Sequence, residues 1–238
     1  MKLKTFFQRR VHRRRGQIGY MGLTVPLDSP VITDPILDTL WKVDYEKPEL
    51  MALLALMRPT DCVLELGLGM GIVSGILAKQ HPDARFVSYE ANPDLRPVVE
   101  RLHKVNGITN VDIQSAVVAP LDQGATRRFR LHRHFTEGSL VADSADQGAV
   151  DVDVHDPQTV IDQVKPDLLV CDIEGGEEEL IPVLPMDGLR AAVIELHPTI
   201  VSREGMARIF SAFHTAGLVP VVELSSATVV AFERVAGP

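Results

Sequence analysis

The sequence predicts an α/β fold, a doubly wound and mostly parallel sheet with an antiparallel edge, and three observations predict it. Short apolar runs of strand length at Cys62–Leu66, Phe86–Tyr89, Val111–Val118, Asp167–Asp172 and Ala192–Leu196 alternate with segments of helical period. The first run stops at three glycines one residue apart, Gly67, Gly69 and Gly71, which is how a buried strand turns tightly into a helix. Acidic residues stand where later runs stop, at Glu90, Asp172 and Glu174, and strand ends are where an open α/β sheet forms its ligand crevice.

In chain order, the first 15 residues carry seven basic residues and no acid. Residues 17–43, with Pro26, Pro30 and Pro35 among short apolar groups, read as an irregular lid, so residues 1–44 are expected to be an arm and lid on a domain of residues 45–238. Pro48 opens a helix where its missing N–H costs nothing, and Leu50, Leu53, Leu54 and Met57 give it an apolar stripe. The glycine turn leads into a helix from Met70 to Gln80 with Ile72, Val73, Ile76 and Leu77 on one face. Asn92 is placed to cap the next helix, with Pro93 at its first position and Leu95, Val98, Val99 and Leu102 inside.

Val111–Val118 reads as one strand whose end, Ser115 and Ala116, has small side chains that leave room for a flat base. Residues 121–157 change to short alternating pieces at 128–132, 139–141 and 150–154, separated by glycines, and read as a small β insertion. His132 and His134 share one face of such a piece beside Arg130 and Arg133, a pattern most simply read as a solvated basic edge. A short helix at 159–164 and an amphipathic one at 202–216 complete the helices, and residues 218–224 with 228–232 read as a closing hairpin.

The composition sets bounds. The chain has 238 residues, 45% of them apolar, enough for one sizeable core. No apolar run approaches the roughly 20 residues of a spanning helix, and no apolar segment of a signal peptide follows the basic start, so a cytoplasmic protein is expected. Cys62 opens one strand and Cys171 nearly closes another, which would hold them on the order of 13 Å apart even as neighbours. Free thiols in a reducing compartment follow. The net charge is −8, but with the basic start set aside the remainder holds 17 basic against 32 acidic residues. Such an acidic body argues against nucleic acid as a partner, while the basic tail suits peripheral contact with anionic lipid or glycan.

The glycine spacing sorts the ligand classes. A phosphate-binding P-loop requires Lys-Ser or Lys-Thr after its last glycine, and none follows Gly71. A dinucleotide fingerprint would need its third glycine at position 72, where Ile72 would hold helix and strand apart, so an NAD enzyme is disfavoured. What remains is E-x-G-x-G-x-G, at Glu65, Gly67, Gly69 and Gly71, which resembles the first motif of class I methyltransferases that bind S-adenosylmethionine. Glu90, ending the next strand, is then placed to accept both hydrogen bonds of a ribose diol.

Asp172 and Glu174 emerge across the crevice, with His197 after the following strand beside them. Near a methyl donor such a group can deprotonate a hydroxyl through His197 at a near-neutral pKa, or hold a divalent cation that acidifies it. With one imidazole among three residues and no fourth ligand evident, the sequence favours the base and no metal. Asp172 is also placed to bind the cofactor's ammonium group.

YEKPE (residues 45–49), VLELGLGMG (63–71), SYEANP (88–93), residues 106–116, GSL (138–140), LLVCDIEGGEEEL (168–180) and IELH (194–197) occur in the order seen in the FkbM family of methyltransferases, which the chain resembles over residues 45–232. Asp172, Glu174, Gly175 and Glu177 match that family's D-x-E-G-x-E motif. The resemblance implies a Rossmann-like, seven-stranded class I fold, S-adenosylmethionine as donor, and O-methylation of a hydroxyl on a sugar, glycan or polyketide-type acceptor. Glu65 stands where many members have Asp, and Leu68 and Gly69 where many have Ala-Asn. A rival class is a non-catalytic assembly protein that keeps the fold and docks through its basic tail.

Overall fold

The computed structural model describes residues 2–130, 139–141 and 149–235. The central sheet has seven strands: β3 (Cys62–Leu66), β4 (Arg85–Tyr89), β5 (Val111–Gln114), β10 (Leu168–Cys171), β11 (Ala191–Glu195), β12 (Leu218–Pro220) and β13 (Val229–Arg234). Their order across the sheet is β12-β13-β11-β10-β3-β4-β5. The pairs among β11, β10, β3, β4 and β5 are parallel, and β13 pairs antiparallel with both β11 and β12. The order reverses beside β3, between chain segments that leave in opposite directions across the sheet, and that reversal is where the crevice opens.

Alternation along the strands divides the core into two layers. Val63, Phe86, Leu168, Val170 and Val193 face one side, packed with α3 (Lys47–Leu56) and α4 (Ile72–Gln80). Leu64, Val87, Leu169, Cys171 and Ile194 face the other, packed with α6 (Pro157–Val164), α7 (Glu177–Leu180) and α8 (Arg203–Thr215). Both faces are covered, which is why these strands are mostly apolar, with buried Glu65 and Ser88 as the polar exceptions in β3 and β4.

The segment expected to be an irregular lid is regular. After α1 (Lys2–Arg15), β1 (Gln17–Tyr20) and β2 (Leu23–Pro26) form an antiparallel hairpin, and α2 (Asp34–Lys42) follows. Ile18, Tyr20, Leu23, Val25, Leu37 and Leu40 are buried in the first core layer. The prolines sit at ends and turns: Pro26 closes β2, Pro30 lies in the turn, and Pro35 occupies the first turn of α2, where no N–H is missed. Asn106 ties the hairpin down, its Oδ1 accepting from Thr24 N and its Nδ2 donating to Thr24 O, both at 2.8 Å. Arg9 and Arg13 of the basic start pair with Asp34 and Asp38 of α2, so part of its charge is satisfied internally.

Two other expectations shift. The expected strand Val111–Val118 breaks at Ser115: β5 stays in the central sheet, while β6 (Ala116–Val118) joins a second sheet of order β6-β9-β7-β8 with β7 (Thr126–Arg130), β8 (Ser139–Val141) and β9 (Ala149–His155). His132, Arg133 and His134 lie outside the described residues. The helix expected from Pro93 is α5 (Arg96–Asn106), because Asn92 Oδ1 accepts from Asp94 N at 3.0 Å and forms a turn before it. Cys62 and Cys171 are free, as expected. No helix among the described residues is long and apolar enough to cross a membrane.

A buried ion pair locks the start of the sheet. Arg190 Nη2 donates to Asp61 Oδ2 at 2.5 Å and to Leu56 O at 2.9 Å, and Asp61 Oδ2 also accepts from Arg58 N at 2.8 Å. Removing the cation alone strands a buried carboxylate, so Arg190→Met should destabilise the protein by about 3 kcal/mol. Adding Asp61→Asn to that variant should recover part of the loss in urea denaturation, and an unchanged midpoint in the single variant would count against the pair.

Candidate active site

Strand register places the site. β3 and β10 are parallel neighbours with Leu66 opposite Cys171, so the chain leaves both at the same edge of the sheet. Asp172 N donates to Leu66 O at 2.8 Å. The approach beyond is so close that a Cβ on Gly67, at φ +89°, would stand 1.7 Å from the Asp172 carbonyl oxygen. Gly69, at φ +56°, donates its N–H to Glu90 Oε2 at 2.8 Å. Gly71 does a different job, since a Cβ there would meet Val99 Cγ1 at 2.7 Å: it lets α4 pack on α5 and does not line the crevice.

At this edge lies a cavity of about 680 Å³. Glu65, Gly67, Gly69 and Glu90 bound one side, the Asp172–Gly176 loop another, and Ala116, Val117, Val118 and Phe129 of the second sheet form an apolar wall. Buried Arg127 fixes that wall, donating to both carboxylate oxygens of Glu179 and to Pro120 O. Of the two small residues expected beside a flat base, Ala116 faces the cavity. Ser115 is exposed and lies outside the lining, its hydroxyl 3.3 Å from Arg96 Nη1.

The cavity is strongly acidic. Among the described residues, Glu46, Glu49, Glu65, Glu90, Asp172, Glu174, Glu178 and Glu179 line it with one basic residue, Arg208, which pairs with Glu178. Burial pushes Glu65 up to about 8, although the Ser88 and Ser74 hydroxyls nearby partly oppose this. Oε2 of Glu65 and both hydroxyls are buried without a hydrogen-bond partner among the described residues. Burial likewise raises Glu90 to about 7 against the N–H groups of Asn92, Gly69 and Ala91, and Glu46, surrounded by protein, to about 8. Asp172 is raised well above the carboxylate range by burial and by the charges of Glu195, Glu46 and Glu174, with His197 opposing.

Asp172, Glu174 and His197 do come together. His197 Nε2 is 3.2 Å from Glu174 Oε2 and 3.6 Å from Asp172 Oδ1. Its Nδ1 lies 2.7 Å from Oε1 of Glu177, whose side chain is fully buried. A near-neutral His197 is not what these neighbours produce. Burial disfavours the charged ring, but the Glu177 hydrogen bond and charge, with Asp172 and Glu174, outweigh it and raise His197 to about 9. In the sequence Glu177 stands only within the D-x-E-G-x-E motif and Glu46 and Glu49 only within YEKPE; tertiary structure brings Glu177 to His197 and the other two to the cavity.

No protein-family model and no curated protein matches the chain. Among solved structures it is similar to a precorrin-6y C5,15-methyltransferase from Geobacter metallireducens GS-15, at 13% identity over 88% of this chain and 92% of that one, with a TM-score of 0.46. It is similar to a ribosomal protein L11 methylase from Lactobacillus delbrueckii subsp. bulgaricus, at 13% identity over 81% and 80% of the chains, with a TM-score of 0.47. It is also similar to M. jannaschii TYW2 in complex with AdoMet, at 13% identity over 92% and 86%, with a TM-score of 0.45. At such identities and TM-scores the likeness carries no argument by itself. The fold, a Rossmann-like doubly wound sheet of seven strands with one antiparallel strand inside its edge, stands on the strand order itself.

The buried carboxyls make stability depend on pH. Glu65 titrates near 8 when folded and near 4.5 when unfolded, so between those values the folded state binds the extra proton and stability falls as pH rises. Without ligand, the thermal midpoint should decline from about pH 5 to about pH 8, and Glu65→Gln, which cannot ionise, should flatten the decline. Equal slopes for the two proteins would exclude Glu65 as a source.

Proposed function

We propose that this protein is an S-adenosylmethionine-dependent O-methyltransferase of the FkbM type, acting on a hydroxyl of a sugar, glycan or polyketide-type acceptor. The observation that carries the reading is the cavity at the end of β3 and β10, where an apolar wall, a carboxylate pair and an acidic interior meet in one space. Those residues fit the donor. The wall of Ala116, Val117 and Val118 suits a flat base, and Glu90 keeps lone pairs for a ribose diol beyond the two it gives to Gly69 N and Asn92 N. The unpartnered Oε2 of Glu65 and the raised Asp172 suit a ligand that carries positive charge, as a sulfonium and an ammonium do.

When bound, the donor supplies a methyl group made electrophilic by its sulfonium. Gly67 and Gly69 let the backbone approach the ligand, and Glu90 fixes its orientation. Asp172, Glu174 and His197 stand on the acceptor side, where a hydroxyl must be positioned and its proton removed. A nicotinamide cofactor is disfavoured because Ile72 is wholly buried between α4 and the sheet, where that fingerprint needs glycine.

Calorimetry with S-adenosylhomocysteine and with NAD tests the reading: binding of the first and not the second supports it. Glu90→Ala should weaken S-adenosylhomocysteine by about 2 kcal/mol, roughly 30-fold. A 2′,3′-dideoxy analogue should bind variant and wild type alike. If the variant lost both ligands equally, Glu90 would be holding the glycine turn and not a ribose.

A further inference from the structure

We propose that Asp172, Glu174 and His197 form a divalent-cation site, suited to magnesium or manganese, on the acceptor side of the cavity. Each offers one ligand atom, and the three atoms lie within 4.8 Å of one another. Neighbouring corners of an octahedron with metal–ligand distances of ~2.1 Å are ~3.0 Å apart. His197 Nε2 already stands 3.2 Å and 3.6 Å from the two carboxylate oxygens, and those oxygens, within 4.8 Å of each other, need only be drawn together by the ion to complete a three-ligand face.

Two further observations point to a cation. Asp172 Oδ1 is a buried acceptor with no hydrogen-bond partner among the described residues, although His197 Nε2 stands 3.6 Å away. Such an oxygen is costly to bury unless something positive or donating meets it. The second is the arrangement behind the histidine. Fully buried Glu177 takes His197 Nδ1 at 2.7 Å, which fixes the ring with Nε2 toward Asp172 and Glu174. Gly175 N, donating to the same Glu177 oxygen at 3.2 Å, holds that carboxylate in turn. A carboxylate behind a histidine is how proteins orient imidazole toward a metal, and a lone base needs no such convergence of two more acids.

Two carboxylate oxygens and one imidazole nitrogen form a hard ligand set, appropriate to magnesium or manganese. Asp172 and Glu174 both line the cavity, so the remaining coordination positions open into it. A hydroxyl that entered there would be bound through its oxygen and acidified; its proton would leave to water and the oxygen would keep the electron pair. The role of the ion therefore rests on the O-methyl transfer reading, whereas its binding does not.

The test is direct binding, with Mn²⁺ as the probe and the free Mn²⁺ paramagnetic resonance signal as the readout, on the full chain without donor. One Mn²⁺ per chain should bind with a dissociation constant well under about 1 mM. His197→Ala and Glu174→Gln should each weaken it by about 100-fold or more, and Glu177→Gln by about 10- to 100-fold. Glu204→Gln, exposed on α8, should leave it unchanged. Circular dichroism of each variant establishes that it is folded, and Glu174→Gln serves if His197→Ala is not. No Mn²⁺ binding by the wild type, or equal binding by the folded ligand variants, overturns the site. S-adenosylhomocysteine binding without Mn²⁺ binding would remove the ion and leave the donor site, and the converse would do the reverse.

Discussion

Everything at this site depends on how closely Gly67 approaches Asp172. The parallel pairing of β3 with β10 brings two strand ends side by side, and the space a Cβ of Gly67 would fill already holds the Asp172 carbonyl oxygen. Any side chain at 67 would push the two ends apart, and with them the glycine turn from the acidic loop. The glycine turn and the start of the acidic loop thus share one fixed reference, the paired backbone.

The second constraint is electrostatic. Among the described residues eight carboxyl groups line the cavity with one already paired arginine; burial raises Glu46, Glu65, Glu90 and Asp172, and neighbouring carboxylates add to the rise at Glu46, Glu65 and Asp172. Bound protons are what lets so many acids share one cavity. The concentration of acids is costly to stability, and under the reading proposed above a cationic ligand would displace those protons and offset the cost.

The sheet was readable because its central strands are buried on both faces and therefore mostly apolar. Gly67, Gly69, Glu90, Asp172, Glu174 and His197 were readable because strand ends in a doubly wound sheet converge. Ser115 was misplaced for a physical reason: nothing in VDIQSAVV marks that the chain leaves one sheet for another after four residues, a decision made by β9 some 40 residues later. Residues 17–43 misled because prolines were counted without their positions. Glu46 and Glu177 escaped notice as site residues because a carboxylate's partner is set by tertiary contact, and one glutamate in the run Glu177–Glu178–Glu179 looks like another. The structure separates them: Glu177 turns inward to His197, Glu178 meets Ser202 and Arg208, and Glu179 meets Arg127.

Backbone strain gives the last connection between fold and site. Among the described non-glycine residues with positive φ are Glu46, at 45°, and Glu174, at 52°, and both line the cavity. A residue with a Cβ adopts this conformation at a cost, of order 1–3 kcal/mol, and keeps it only where surrounding packing leaves no alternative. The packing is visible in each case. Glu46 precedes α3, whose Leu50 and Leu53 are wholly buried, while its neighbour Tyr45 accepts the Tyr20 hydroxyl through its carbonyl oxygen at 2.5 Å. Glu174 lies between Asp172, held to the end of β3, and Gly175, whose own positive φ places it against Ile200. The hairpin of residues 17–26 is therefore more than a cover for the sheet. Through Tyr20 it helps hold the strained turn that aims one of the cavity's carboxylates, so a segment distant in sequence from every ligand-facing motif contributes to the shape of the site.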